Sequence, residues 1–195
     1  MRFAIIERMR TFAVFLAGWL IGAAILVVMS IDRSGEARAE PIVIATHEAT
    51  GELIVPVAGI ARTSLRDTYE QSRGFGTRAH HAIDIMAPRG TPVLAATSGT
   101  IRKLFTSGAG GLTIYEFDEQ QTRVYYYAHL DHYATIAEGM HVRRGDVIGY
   151  VGTTGNASPD APHLHFAVEL LPPTKEWWKG TPVNPYPLLA QRSDE

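Results

Sequence analysis

Short apolar runs separated by turn residues make up most of the chain from residue 82 onward. Turn signals such as Ser98-Gly99, Arg144-Gly145-Asp146 and Thr153–Asn156 fall between the runs, and apolar runs bounded in this way are typical of strands. Strands repeated at this spacing predict an all-β domain with a mainly antiparallel, sandwich or barrel-like sheet. The predicted strands are Ile83–Met86, Pro92–Ala96, Thr100–Phe105, Leu112–Phe117, Thr122–His129, Val147–Val151 and His163–Leu171.

The segments on either side of this region carry weaker signals. Ile42–Ile44 and Leu53–Val57 are short β-rich runs, and a helical turn is expected around Leu65–Gln71. The tail, Pro172–Glu195, is rich in proline and aromatic residues. We expect it to pack over the sheet as an irregular strap, with substrate stacking as the alternative role for its two tryptophans.

The N-terminal sequence predicts that the rest of the chain lies outside the cytoplasm. Arg2, Arg8 and Arg10 precede an uncharged run, Thr11–Ile31, which is long enough to cross a membrane as one hydrophobic helix. The arginines should stay on the cytoplasmic side. Ala37-Arg38-Ala39 offers a cleavage pattern for a signal peptide, but the apolar run exceeds the usual signal core, so its length favours a retained anchor.

Composition argues against nucleic-acid binding and against any site built on cysteine. The chain has 195 residues, of which 46% are hydrophobic, and a net charge of -2, so it can bury a core but has no basic footprint for nucleic acid. It contains no cysteine, which excludes disulfides and thiolate metal sites. We expect an anchor or signal segment with linker over residues 1–40 and one folded domain, including the strap, over residues 41–195.

Three short motifs concentrate nitrogen and oxygen ligands of the kind that zinc accepts. They are HHAID with His80 and Asp84, YYYAHL with His129, and PHLHF with His163 and His165. Three of these side chains could hold a metal and leave a coordination position open for water, while two histidines remain to move protons. The pattern therefore favours a zinc hydrolase.

Strand geometry suggests how the ligands converge, because side chains at i, i+2 and i+4 share one face. His80 and Asp84 have matching parity, as do His163 and His165, and His81 should face the other way. The remaining histidines are expected to be surface or structural residues: His47, His132 and His141.

Two further expectations concern the surroundings of the site. Tyr125 and Tyr127 share parity with His129, so they either line the same face or pack in the core. The loop Gly152–Asp160 is either a plain hairpin loop or a segment that hydrogen-bonds an extended peptide through Gly155, Asn156 and Ser158.

The motifs together resemble those of the LytM/lysostaphin-type zinc endopeptidases of the M23 family. The similar segments, from about Val55 to Leu189, are HHAIDIMAPRGTPVLA, YYYAHLD, VRRGDVIGYVGTTGNA, PHLHF and WWKGTPVNP. The resemblance implies a mainly antiparallel, barrel-sandwich-like fold (a duplicated hybrid motif) with an open groove. It also implies hydrolysis of peptide bonds in peptidoglycan stems or cross-links, in the cell envelope. Ala82 stands where glycine is common in the family.

The resemblance assigns Zn²⁺ to His80, Asp84 and His165, and it makes His129 and His163 the non-ligand histidines of the site. We expect His163 to act as general base and later as proton donor to the leaving amine. His129 would hydrogen-bond the developing oxyanion or orient the water.

Two alternatives to an enzyme deserve comparison. A non-catalytic LytM-like activator of another wall hydrolase usually lacks part of the zinc set, whereas all five positions are filled here. A biotinyl or lipoyl carrier would need a modifiable lysine at a hairpin tip, and neither Ser98-Gly99 nor the neighbourhood of Gly145 offers one.

Overall fold

The computed structural model describes residues 17–20, 23–31, 37–42, 53–73 and 76–190. The chain divides into two units, Met1–Thr50 and Gly51–Glu195. In the first unit, β1 (Ala17–Leu20), β2 (Ala23–Ile31) and β3 (Ala37–Ile42) form an antiparallel sheet in the order β1-β2-β3.

The helix predicted for Thr11–Ile31 falls partly on residues 11–16 and 21–22, which lie outside the described part. The described segments of this run pair as β1 and β2. No helix within the described residues is long and apolar enough to cross a membrane.

The second unit is mostly antiparallel β-sheet, as predicted. A 3₁₀-helix, Arg62–Ser64, precedes its strands, and one short α-helix, α1 (Pro185–Ala190), follows them. The strands are β4 (Ser72–Arg73), β5 (Arg78–Ala79), β6 (Ile83–Met86), β7 (Pro92–Leu94), β8 (Gly99–Ser107), β9 (Gly111–Asp118), β10 (Arg123–Tyr133), β11 (His141–Val142), β12 (Val147–Val151), β13 (His163–Leu170) and β14 (Thr181–Val183).

The long strand β10 organises the main sheet. One edge pairs with β9, and the sheet continues through β8 to β11. The other edge is shared: Arg123–Ala128 pairs with β13, and Leu130–Tyr133 pairs with β12, which leads to β7. β13 continues outward to β6 and β14. His129 lies where β10 passes from one partner to the other, so the branch point of the sheet coincides with a predicted site residue.

Alternation along the strands separates the core from the outer face. In β13, Leu164, Phe166 and Val168 are fully buried, whereas His163 and His165 alternate with them on the partly exposed side. The same side chains that close the core thus fix the direction in which the histidines point. Other fully buried core residues include Ile83, Val93, Ile101, Ile114, Tyr127, Leu130, Ile148 and Leu189.

All seven apolar runs predicted as strands from residue 83 onward are strands, with shifted ends in several cases. The β-rich run Leu53–Val57 does not form a strand. This segment runs beside β7 and exchanges hydrogen bonds with it, but Pro56 has no N–H to continue a ladder, and only Val57 forms a bridge, to Val93. For Ile42–Ile44, Ile42 belongs to β3 and residues 43–44 lie outside the described part.

The helical turn predicted around Leu65–Gln71 is wrong. Leu65 is extended, with φ -67° and ψ 148°. The carboxylate of Asp67 accepts a hydrogen bond from the Tyr69 N–H at 3.0 Å, a local contact that competes with helix formation.

The tail is more regular than predicted, since it contains β14 and α1. Its strap-like part packs on the sheet through Trp177, whose ring lies 4.5 Å from Tyr115 and 5.7 Å from Phe105. Trp178 contacts Trp177 and is 58% exposed.

Candidate metal centre

Two of the three predicted metal ligands face each other across adjacent strands. Asp84 in β6 and His165 in β13 are direct cross-strand partners. His80 precedes β6 and is not in a strand. His80 and Asp84 do meet, but not because they share one face of a strand, as expected. His81 has a φ of 57°, which turns the chain between them, and the His80 ring folds back onto Asp84. His81 is exposed and lies against Tyr69 instead.

Three ligand atoms meet at one point. His80 Nε2 lies 3.1 Å from Asp84 Oδ1 and 3.0 Å from His165 Nδ1. His165 Nδ1 lies 3.3 Å from the same carboxylate oxygen. Donor atoms of all three residues lie within 4.8 Å of one another, close enough to hold one metal ion.

The hydrogen bonds around these atoms favour a cation at their centre. His80 Nδ1 donates to the Thr68 carbonyl at 3.0 Å, so in the neutral ring Nε2 carries a lone pair that faces the other ligands. Asp84 Oδ1 is buried and has no hydrogen-bond partner among the described residues. A buried carboxylate oxygen without a hydrogen-bond partner is unfavourable unless a cation lies beside it, so the residues fit a metal.

The protonation states also suit a metal. Burial opposes ionisation of Asp84, but its contacts with His165 and His80 outweigh that effect and lower the pKa of the carboxyl below its usual value. Burial lowers the pKa of His165, which keeps that imidazole neutral at pH 7. A carboxylate and neutral imidazoles are the forms that bind metals.

Arg73 in β4 supports this group and was not identified from the sequence. Its Nη2 donates to Asp84 Oδ2 at 2.5 Å. The ion pair holds the second carboxylate oxygen and leaves Oδ1 directed at the two imidazoles. The sequence gives no sign of this contact, because β4 has only two residues and its approach to β6 depends on the fold.

The two remaining site histidines lie beside the metal ligands. The ring of His129 lies 5.0 Å from that of His163 and 5.6 Å from that of His165. His163 Nε2 lies 3.7 Å from Asp84 Oδ1. The structure thus brings together all five residues predicted from the motifs.

Main-chain carbonyls set the orientation of both rings. His129 Nδ1 donates to the Thr154 carbonyl, and His163 Nδ1 donates to the Ala161 carbonyl, each at 2.8 Å. In their neutral forms both rings therefore carry an unprotonated Nε2. Burial lowers the pKa of His129 to about 4, so its ring is neutral at pH 7.

The branch in β10 places His129 on the metal side of the sheet. His129 has a φ of 62°, and the pairing of β10 with β9 shifts register between Tyr127 and Leu130, on either side of it. Strict alternation would have put His129 with Tyr125 and Tyr127, which are buried in the core. Of the two readings for these tyrosines, core packing is the one observed. Tyr126 points to the metal side instead, with its ring 5.9 Å from that of His165.

The loop after β12 locks onto the β8–β9 turn. Thr154 Oγ1 donates to the Leu130 carbonyl at 2.7 Å and accepts from the Leu112 N–H at 3.0 Å. Gly155 has a φ of 75°, and a Cβ there would lie 2.3 Å from the Ala109 carbonyl oxygen. Thr154 thereby fixes the carbonyl that orients His129, a role that a lone threonine in a polar loop does not reveal in sequence.

An open groove of about 700 Å³ contains the whole site. Its lining includes Arg73, Arg78, Met86, Gly110, Tyr126, Asn156, Ser158 and the five site residues. Asn156 and Ser158 belong to the loop Gly152–Asp160, and their place in the lining is compatible with contact to an extended peptide.

The other histidines lie elsewhere. His132 is exposed, hydrogen-bonds Asp131 at 2.8 Å and stacks on Tyr150. His141 is exposed and bonds Glu119 at 2.6 Å. His47 lies outside the described residues.

The part of the chain that holds the site matches a known family and several known proteins. The family model described as Peptidase family M23 matches residues 78–185, which include all five site residues. The L-Ala--D-Glu endopeptidase of Bacillus subtilis is 34% identical over 150 residues, covering 73% of this chain and 44% of that relative. The DD-carboxypeptidase/endopeptidase Mpg of Neisseria meningitidis is 38% identical over 108 residues, covering 55% of this chain. The match spans only 22% of Mpg, so the chain spans less than half the length of either relative.

A solved structure is similar as well. The catalytic domain of the antimicrobial peptidase lysostaphin from Staphylococcus simulans superposes with a TM-score of 0.56 at 29% identity. The superposition covers 65% of this chain and 92% of that domain. The similarity therefore extends over nearly the entire lysostaphin catalytic domain.

Proposed function

The chain belongs to peptidase family M23, and on that premise we propose that it is a zinc-dependent endopeptidase acting on peptidoglycan stem or cross-link peptides. One observation carries the proposal: His80, Asp84 and His165 direct three ligand atoms at one point, where Asp84 Oδ1 is buried without a hydrogen-bond partner. The relatives are named as an L-Ala--D-Glu endopeptidase and a DD-carboxypeptidase/endopeptidase, which supports the substrate class.

Zinc suits the ligand set of two imidazoles and one carboxylate. Bound zinc supplies a Lewis acid and lowers the pKa of its water from about 15.7 to about 7. Arg73 holds the outer oxygen of Asp84, and the Thr68 carbonyl holds the outer nitrogen of His80, so the ligands keep their orientation.

We assign the proton-moving role to His163. Because Nδ1 donates to the Ala161 carbonyl, Nε2 is the acceptor nitrogen of the neutral ring, and it lies 3.7 Å from Asp84 Oδ1 at the edge of the ligand group. It can take a proton from the attacking water and return it to the leaving amine.

His129 is better suited to orient the water than to bind the oxyanion. Its Nδ1–H is already given to the Thr154 carbonyl, so the neutral ring has only an acceptor, Nε2, to offer the groove. Of its two expected roles, orientation of the water by accepting a hydrogen bond is the one that this tautomer supports.

We further propose that the enzyme works outside the cytoplasm, in the cell envelope. The uncharged run Thr11–Ile31 behind three arginines supports a membrane anchor within residues 1–40, and residues 41–195 would form the catalytic domain. Peptidoglycan as substrate requires the same location.

The test is digestion of purified peptidoglycan by the zinc-loaded chain, with mass spectrometry of the released fragments. The expected result is fragments that end at one type of stem or cross-link peptide bond, lost on chelation and restored by zinc. His163→Ala is the matched control, since it should keep the metal but lose most turnover.

Two results would contradict the proposal. Zinc uptake without any fragment release would indicate a non-catalytic activator of another wall hydrolase. Fragment release that is insensitive to chelation would remove the metal from the reaction.

A further inference from the structure

Two arginines lie directly opposite each other at one wall of the groove. Arg73 in β4 and Arg78 in β5 are cross-strand partners in a two-stranded sheet. Like charges in this position are destabilising, and of the two arginines only Arg73 is paired with a described acidic side chain, Asp84. An anion bound near the pair would relieve the repulsion.

The two guanidinium groups are not equally engaged. Arg73 is partly buried and bonds Asp84 Oδ2 at 2.5 Å, so part of its hydrogen-bonding capacity is used within the site. Arg78 is exposed, and its side chain makes no hydrogen bond or ion pair with any described residue. Both line the groove, so a cationic group without a partner faces the space where a substrate would lie.

The rest of the lining does not balance this charge. Asp84 is the one acidic side chain among the described residues that line the groove, and it is already committed to Arg73 and the imidazoles. The lining also includes the neutral polar side chains of Asn156 and Ser158. The groove therefore favours an anionic over a neutral occupant.

We propose that Arg78, with Arg73 beside it, forms a carboxylate-binding subsite that selects peptides with a free carboxylate close to the cleaved bond. The inference rests on the proposed peptidase function. The planar guanidinium can bind a carboxylate through two parallel hydrogen bonds, which gives both charge and geometric selection.

A peptide can supply such a carboxylate from its C-terminus or from an acidic side chain. Four matched peptides separate these sources: a free or amidated C-terminus, each combined with glutamate or glutamine next to the cleaved bond. The zinc-loaded full chain is assayed with all four, as wild type and as Arg78→Gln, Arg78→Lys and Arg143→Gln. Arg143 is exposed and lies outside the groove lining, so Arg143→Gln removes the same charge without touching the subsite.

For wild type, kcat/KM should be about 10- to 100-fold higher for a peptide with the recognised carboxylate than for its neutral counterpart, mostly through KM. Arg78→Gln should reduce that preference to within about threefold, and Arg78→Lys should keep part of it, because lysine retains the charge but not the planar fork. Arg143→Gln should behave as wild type. Zinc content, measured on every variant, should not change.

Each outcome decides the inference separately from the proposed function. If wild type cleaves neutral and acidic peptides equally well, the subsite is refuted and the peptidase stands. The subsite is also refuted if Arg78→Gln keeps the preference. If no peptide is cleaved, the proposed function fails, and binding of the same labelled peptides to the zinc-loaded chain is measured by fluorescence anisotropy. A tenfold preference for the acidic peptide that Arg78→Gln abolishes supports the subsite, and equal binding refutes it.

Discussion

The buried carboxyl of Glu116 should make the stability of this protein fall as pH rises through neutrality. Glu116 lies fully inside the core in β9. Its Oε2 accepts a hydrogen bond from the Tyr127 hydroxyl at 2.5 Å, and that hydroxyl accepts from the Ala96 N–H at 2.9 Å. Oε1 has no partner among the described residues. Burial raises the pKa of Glu116 to about 8, against the usual value of 4.5.

The size of the effect follows from this difference in pKa. Between pH 4.5 and pH 8 the folded protein keeps a proton on Glu116 that the unfolded chain releases, so the unfolded state is favoured as pH rises. For a single group whose pKa moves from 4.5 to about 8, the loss of folding free energy between pH 5 and pH 8 is about 3 to 4 kcal/mol. That is a large part of the stability of an ordinary domain.

Glu116→Gln removes the titrating group and keeps an acceptor for the Tyr127 hydroxyl. Urea unfolding at pH 5 and pH 8, in the presence of a chelator, should show the stability of the variant rising relative to wild type by about 3 to 4 kcal/mol. Glu70→Gln makes the same replacement on an exposed side chain and should follow wild type at both pH values. If the difference in unfolding free energy between wild type and Glu116→Gln is the same at pH 5 and pH 8, the reasoning is refuted.

Three further predictions concern the site itself. Thr154→Val should lower the free energy of unfolding in urea by about 1 to 3 kcal/mol, because the Leu112 N–H and the Leu130 carbonyl lose their partner. It should also lower kcat, because the carbonyl that orients His129 is no longer held in place. Thr154→Ser keeps the hydroxyl and should restore both the stability and kcat. His129→Ala and His163→Ala should each reduce kcat by roughly 10²-fold or more in a peptide assay while metal analysis still finds zinc, and complete loss of metal from either would make that residue a ligand. Asp84→Asn should weaken zinc binding at least about 100-fold in a competition titration with a chelator, and unchanged affinity would remove Asp84 from the centre.

Local pattern was sufficient where strands are regular. His163 and His165 alternate with Leu164 and Phe166, and the burial of the two apolar residues fixes the direction of both histidines. The run Val147–Val151 has the same bounds in the structure as in the prediction. In these places each residue's face depends only on the period of two.

The same rule failed wherever the backbone leaves the extended region. His129, with a φ of 62°, changes face relative to Tyr127, and His81, with a φ of 57°, brings His80 back to Asp84. The sequence gives little warning, because histidine adopts this conformation only occasionally. Matching strand parity therefore predicts the meeting of His80 and Asp84 but does not explain it, because the turn at His81 brings them together.

Contacts between segments far apart in sequence could not be predicted for a different reason. The bond from Arg73 to Asp84 and the support of His129 by Thr154 both depend on tertiary approach. Neither of them follows from a periodic pattern. Arginine and threonine in polar segments are ordinary surface residues in sequence.

X-ray absorption at the zinc edge of the zinc-loaded chain tests the central claim most directly. The account predicts one zinc per chain, with two imidazole nitrogens and one carboxylate oxygen at about 2.0 to 2.2 Å. The spectrum should be unchanged in His129→Ala and His163→Ala and should lose one imidazole in His165→Ala. A folded chain that takes up no zinc at neutral pH, or a shell that changes in His163→Ala but not in His165→Ala, would contradict the account.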